Sequence, residues 1–291
     1  MKASLFRRPA LLSSLLALAM LALAGCHATN PIVQARPVAL NSSPSAASEL
    51  RVADAALQSG NIPMAVSIYE RELTAHPNSL PALQGLADAM YMSGDNARAR
   101  QLYARAQQES HDARGPGIGL ARIALRERRF DDAIALYQPL VDANPNDSLA
   151  WEGLGTAYDM KGAHDKAQQI YRTALKANPT DMALASNLGL SLILAGQPRE
   201  GANVLLDIAS SPNAPVQARQ NLALAYGMLG NEDAAARILS MDLPKASVAD
   251  NLRYYQQIRS TIGSAADAKS PLAPLAKKAA DRSAPAASVV R

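Results

Sequence analysis

WEGLGTAYDMKGAHDKAQQIYRTALKANP, residues 151–179, decides how this chain folds. Its large apolar and small residues fall at Trp151, Leu154, Gly155 and Tyr158, then at Ala167, Tyr171 and Ala174, with Pro179 closing the stretch. Steps of three and four residues mark one face of a helix, so each half reads as a short amphipathic helix. Gly162, between the halves, suits the left-handed turn that ends the first of them. Asn178-Pro179 ends the second, since the residue before a proline is pushed out of α geometry, and Asp181 follows as a cap for the next helix.

The pattern returns every 34 residues without insertion. At the position of Ala167 stand Ala65, Ala99, Ala133, Gly201 and Ala235, all small; at that of Tyr171 stand Tyr69, Tyr103, Tyr137, Leu205 and Leu239. Ala53, Ala87, Ala121, Gly189 and Ala223 match Gly155, and Gly60, Gly94, Gly196 and Gly230 match Gly162, with Arg128 as the exception. A small residue on each helix of a pair lets the two backbones approach, and Tyr or Leu fills the space between successive pairs. This spacing resembles the tetratricopeptide repeat term by term, with Tyr171 standing for the usual Phe. The expected fold is all-α: a superhelical solenoid of about six helix-turn-helix units over residues 46–249, plus a C-terminal capping helix over 251–262. One unit cannot bury its own apolar face, so stacking makes the core and the last unit needs a cover. Leu252, Tyr255, Ile258 and Ile262 supply the pattern of that cover. Tyr254-Tyr255 within it reads either as packing or as a docking spot.

Composition agrees with packed helices. Hydrophobic residues make up 48% of the 291, with only two Phe, nine Tyr and one Trp, so Ala and Leu carry the apolar weight. The net charge of +4 suggests nucleic acid until it is divided along the chain. Lys2, Arg7 and Arg8 lie in residues 1–25, and residues 264–291 hold five basic against two acidic side chains, which leaves the body between them mildly acidic. A nucleic-acid partner would require a basic face there.

The N-terminus reads as a signal peptide over residues 1–25. A basic start is followed by an apolar run to Ala24, too short for a membrane span. It ends Leu23-Ala24-Gly25-Cys26, which resembles a bacterial lipobox, and Cys26 is the one cysteine of the chain. Ordinary cleavage after Ala22-Leu23-Ala24 would instead leave Cys26 as a stray thiol. The lipobox reading makes Cys26 a lipidated first residue, with a covalent lipid and no other cofactor, and two acyl chains suffice for stable anchoring. His27 stands where an Asp would resemble an inner-membrane retention signal, which implies the outer membrane. Residues 26–45 read as a flexible tether, and 263–291, rich in Ala, Pro and Lys, as a disordered tail.

No catalytic constellation emerges from the sequence. His27, His76, His111 and His164 lack neighbours at metal-ligand spacing, and Gly115-Pro116-Gly117-x-Gly119 follows no strand. What remains is the concave face, expected from the first helix of each unit. Ile118, Arg122, Arg126, Glu152, Thr156 and Asp159 form a mixed-charge stretch in units three and four. In units five and six the stretch is apolar: Ser186, Leu190, Ile193, Leu194, Gln220, Leu224 and Met228. Two readings stay open for the apolar stretch: a partner segment covers it, or the capping helix or tail does. Asn187 and Asn221 lack nearby Lys, which disfavours a clamp for an acidic C-terminus.

Beyond the repeat, the sequence resembles the TadD family of lipoproteins of tight-adherence (Flp) pilus assembly. The lipobox, the six units, Asn187-Leu188-Gly189-Leu190-Ser191-Leu192, Gln220 to Gly230, Asp242-Leu243-Pro244 and Asn251-Leu252-x-Tyr254-Tyr255 carry the resemblance, which spans most of residues 20–262. It implies a non-enzymatic, periplasm-facing outer-membrane lipoprotein whose partners are the pilus secretin and other pilus-assembly proteins, with no nucleic acid and no small-molecule substrate. A tetratricopeptide-repeat adaptor for cell-wall enzymes or polysaccharide export shares every feature except the C-terminal motifs.

Overall fold

The computed structural model describes residues 45–110 and 114–264; Cys26, His27, the tether, His111 and the tail lie outside them. The described residues form thirteen helices. They pair as α1 Ala46–Gln58 with α2 Ile62–Ala75, α3 Leu80–Ser93 with α4 Asn96–Glu109, and α5 Arg114–Arg126 with α6 Phe130–Ala143. The series continues with α7 Ser148–Met160 and α8 His164–Ala177, α9 Met182–Leu194 and α10 Pro198–Ala209, and α11 Val216–Met228 and α12 Glu232–Leu239. A last helix, α13, runs Lys245–Ser264, starting at Lys245 rather than Asn251. Lys245 to Asp250 lacks an apolar period, apart from Val248, which is buried against α12.

Six mid-unit turns are alike because one hydrogen-bonding scheme closes them all. The amide two or three residues past each first helix reaches back to a carbonyl five residues earlier, from Asn61 N to Ala56 O at 2.8 Å through Asn231 N to Tyr226 O at 2.9 Å. The residue just before that amide must be left-handed. Gly60, Gly94, Gly162, Gly196 and Gly230 sit at φ 80 to 90°, and Arg128 is held at φ 61° in the third unit, where a side chain costs roughly 1–2 kcal/mol. The scheme outranks local propensity there.

Successive first helices touch one another along the whole array while successive second helices are spread apart, so α1, α3, α5, α7, α9 and α11 line the inside of the curve. Ala53, Ala65, Ala99, Ala121, Ala133, Ala167, Ala223 and Ala235 are fully buried between the helices of their pairs. Between units, large rings rest on glycine backbones. A Cβ on Gly85 would lie 2.3 Å from Tyr69 Cζ, one on Gly119 2.3 Å from Tyr103 Cζ, and one on Gly153 2.2 Å from Tyr137 Cζ. Unit five carries Asn187 at that position, and Tyr171 instead rests on Gly155 of its own unit, with Cε1 2.3 Å from where a Cβ would be. Trp151 packs on both neighbouring clusters and donates Nε1–H to the Pro145 carbonyl at 2.8 Å. Leu154 is buried, Tyr158 is half-buried against the same clusters, and Pro179 lies in the turn just past the C-cap Asn178. Asp147 and Asp181 cap α7 and α9, each accepting backbone N–H bonds from its helix's first turn.

Candidate functional site

The groove follows one repeat position: Asp54, Asp88, Arg122, Thr156, Leu190, Leu224, each paired with the residue fifteen further on. Tyr69 and Tyr103 donate their hydroxyls to Asp54 and Asp88, both at 2.6 Å. Burial, with the facing carboxylate, raises both phenols well above their usual range, so they remain donors at any physiological pH. Tyr171 is 3.4 Å from Thr156 Oγ1. Where the tyrosine is replaced by Leu205 and Leu239, the groove position is Leu190 and Leu224. The groove position thus turns apolar at the same units where the residue fifteen further on does.

The apolar stretch is covered by this chain's own α13. Ile258 is buried on Leu194, with Leu190, Met228 and Tyr254 packed around them. Leu224 is half-buried beneath the end unit alongside Val248, Leu252 and Tyr255. Tyr255 lies across Gly227, whose Cβ would come 2.3 Å from its ring, and so serves packing. Four of the groove residues expected from the sequence need correction. Ile193 is fully buried, its Cγ1 only 2.7 Å from where a Cβ on Gly201 would lie, and it belongs to the interior of unit five. Leu194 is 9% exposed and lies under α13. The reason is that apolar residues are spread all round α9, so spacing alone does not say which leucines face out. Ile118 and Ser186 are likewise buried.

The mixed-charge stretch is open but largely engaged. Arg122 and Arg126 lie over the Tyr91 ring, 4.5 and 3.5 Å from its centroid, and Arg122 is 3.8 Å from Asp88. Arg126 donates to the Tyr91 carbonyl and to Asn96 Oδ1, tying unit three to unit two. Asp159 accepts from Ser191 Oγ at 2.6 Å and contacts His164 Nδ1 at 2.9 Å. This Ser–Asp–His group is not arranged as a nucleophile site: the Ser191 hydroxyl donates its hydrogen bond to the carboxylate and not to the imidazole, and Ser191 is fully buried. Among the described residues no group of three or more His, Cys, Asp or Glu side chains could hold a metal ion, and no helix is long and apolar enough to cross a membrane.

Glu152 went unremarked in the sequence beyond its place in the stretch. It is half-buried on α7, accepts from Asn187 Nδ2 at 3.3 Å, and has its carboxyl pushed up by burial. Asn221 makes the equivalent contact one unit on, with Ser186 Oγ at 3.4 Å.

Residues 56–115 and 118–181 match tetratricopeptide repeat family models. No curated protein matches by sequence. Among solved structures, a tetratricopeptide repeat protein from Parabacteroides merdae superimposes with a TM-score of 0.61 at 14% identity, covering 74% of this chain and 86% of that one. A thermophilic TPR protein from Thermus thermophilus gives 0.52 at 20% identity over 62% of this chain and 100% of its own. The APC/C hetero-tetramer Cut9-Hcn1 gives 0.60 at 18% identity over 72% of this chain and 42% of that one. Identities this low speak for fold alone. The six pairs with one hydrogen-bonding scheme, the matched segments and these superpositions agree on the fold, and the described residues form a tetratricopeptide-repeat solenoid.

Proposed function

We propose that this scaffold is a non-enzymatic outer-membrane lipoprotein of tight-adherence (Flp) pilus assembly, anchored through Cys26 and acting on the pilus secretin as a pilotin does. The observation that carries the reading is the coincidence, in one chain, of the lipobox ending at Cys26 with the motifs Asn187 to Leu192, Gln220 to Gly230 and Asn251 to Tyr255. Those C-terminal motifs build the covered end of the solenoid: Gly227 receives the Tyr255 ring, and Arg219 holds Asp242 with bonds of 2.6 and 2.8 Å. Their packing leaves the polar groove of units one to four as the surface available to a partner.

The anchor and the partner are tested together. Radiolabelled palmitate should enter the parent chain and not Cys26→Ala, and secretin should be captured from membranes by the parent. Label in Cys26→Ala would remove the anchor. Secretin that reaches the outer membrane equally well without this protein would remove the pilotin role while leaving the scaffold.

A further inference from the structure

We infer that Glu152 is the recognition point for a lysine or arginine side chain of an extended partner segment lying in the groove at units four and five. The inference rests on the scaffold reading above, not on which pilus component is bound. Its starting point is charge pairing. Every other non-exposed carboxylate among the described residues faces an arginine or histidine, as Asp147 faces Arg114 and Asp242 faces Arg219, or caps a helix, as Asp181 caps α9. Glu152 has neither. Its one polar contact is an uncharged amide, and the charge nearest in effect, Asp181, is of the same sign. A half-buried carboxylate without a cation is costly to keep, and an incoming ammonium or guanidinium would relieve that cost.

The surroundings fit the same ligand. Leu149 stands one turn before Glu152 on the same face of α7 and is 49% exposed, although large apolar side chains elsewhere in α7 are covered. Lysine and arginine have apolar stems and charged ends, so Leu149 and Glu152 together complement the length of one such side chain. Asn187, on the first helix of the next unit, supplies an amide at the edge of the open groove. Along the groove, Arg122 and Arg126 bound the site toward the N-terminal end and α13 closes it toward the other. That leaves unit four, at its junction with unit five, for the cation.

The test uses the full chain in mild detergent and degenerate nonapeptide libraries with the central residue fixed as lysine, arginine, norleucine or glutamate. Lysine and arginine libraries should be retained about tenfold over norleucine, and Glu152→Gln should abolish that preference with an unchanged circular-dichroism melt. Retention without a central preference, or a preference that survives Glu152→Gln, overturns the inference and leaves the groove as a peptide site of another specificity. No retention from any library removes both the inference and the groove as a peptide site, while secretin capture still decides the scaffold's role. A preference that appears only after the five tail cations, Lys269, Lys277, Lys278, Arg282 and Arg291, are changed to serine assigns the site to the chain's own tail and overturns the partner.

Discussion

The groove of units one to four and the groove of units five and six are built on the same 34-residue frame, yet one is polar and open and the other apolar and covered. In the first, the groove position faces tyrosine and is Asp54, Asp88, Arg122 or Thr156; in the second it faces Leu205 or Leu239 and is leucine. The frame fixes where a side chain sits and leaves its chemistry free. An apolar groove next to the end of a stack is then the bed for a capping helix, and only the polar half keeps a surface whose charges are not all answered from within.

Truncating the covered half should have the largest effect. Leu194→Ala empties the contact with Ile258 and should cost about 2–4 kcal/mol in a denaturant titration, whereas Leu149→Ala in the open half should stay within about 0.5 kcal/mol. Equal effects would erase the distinction.

The junction of units three and four sharpens the comparison through pH. Asp147, buried, receives two bonds from Arg114 at 2.5 and 2.8 Å, and these hold its carboxyl below the usual range. Because the folded value is the depressed one, the unfolded chain binds the proton first. The stabilisation is therefore present above the unfolded aspartate value of about 3.9 and is lost as pH falls through the folded one. Asp147→Ala should lose about 1–2 kcal/mol at neutral pH, through the pair and the cap of α7, and the difference from the parent should shrink in melts taken below about pH 4.

Glu152 behaves oppositely, with a smaller effect. Burial raises its carboxyl, so the folded chain holds the proton more tightly and stability falls as pH rises through the folded value. Glu152→Gln should leave the melt at pH 7 unchanged or raise it by no more than about 0.5 kcal/mol. A clear loss would mean that Glu152 serves the fold.

Much of this architecture was legible in the sequence, because close helix contacts demand small residues at fixed spacing and Ala167 with its equivalents records that demand. The cap at Asp181 was legible for the same reason: it is local. The glycine seats of Tyr69, Tyr103 and Tyr137 were missed, although Gly85, Gly119 and Gly153 recur in phase, because each seat joins two units and a reading confined to one helix pair does not look for it. Ile193 was misplaced because α9 lacks a polar side to orient it. The unpaired state of Glu152 could not be read at all, since a missing partner is visible only when every neighbour has been placed.

Thiol accessibility tests the open and covered halves most directly. In the Cys26→Ala chain, Leu149→Cys and Leu194→Cys each introduce the only thiol, and a soluble maleimide reports its exposure. The account predicts that Leu149→Cys labels at close to the rate of the urea-unfolded chain and Leu194→Cys at least about tenfold more slowly, since its reaction must wait for α13 to lift. Equal rates for the two thiols in the native chain would show that α13 does not cover the apolar groove, and would contradict the account.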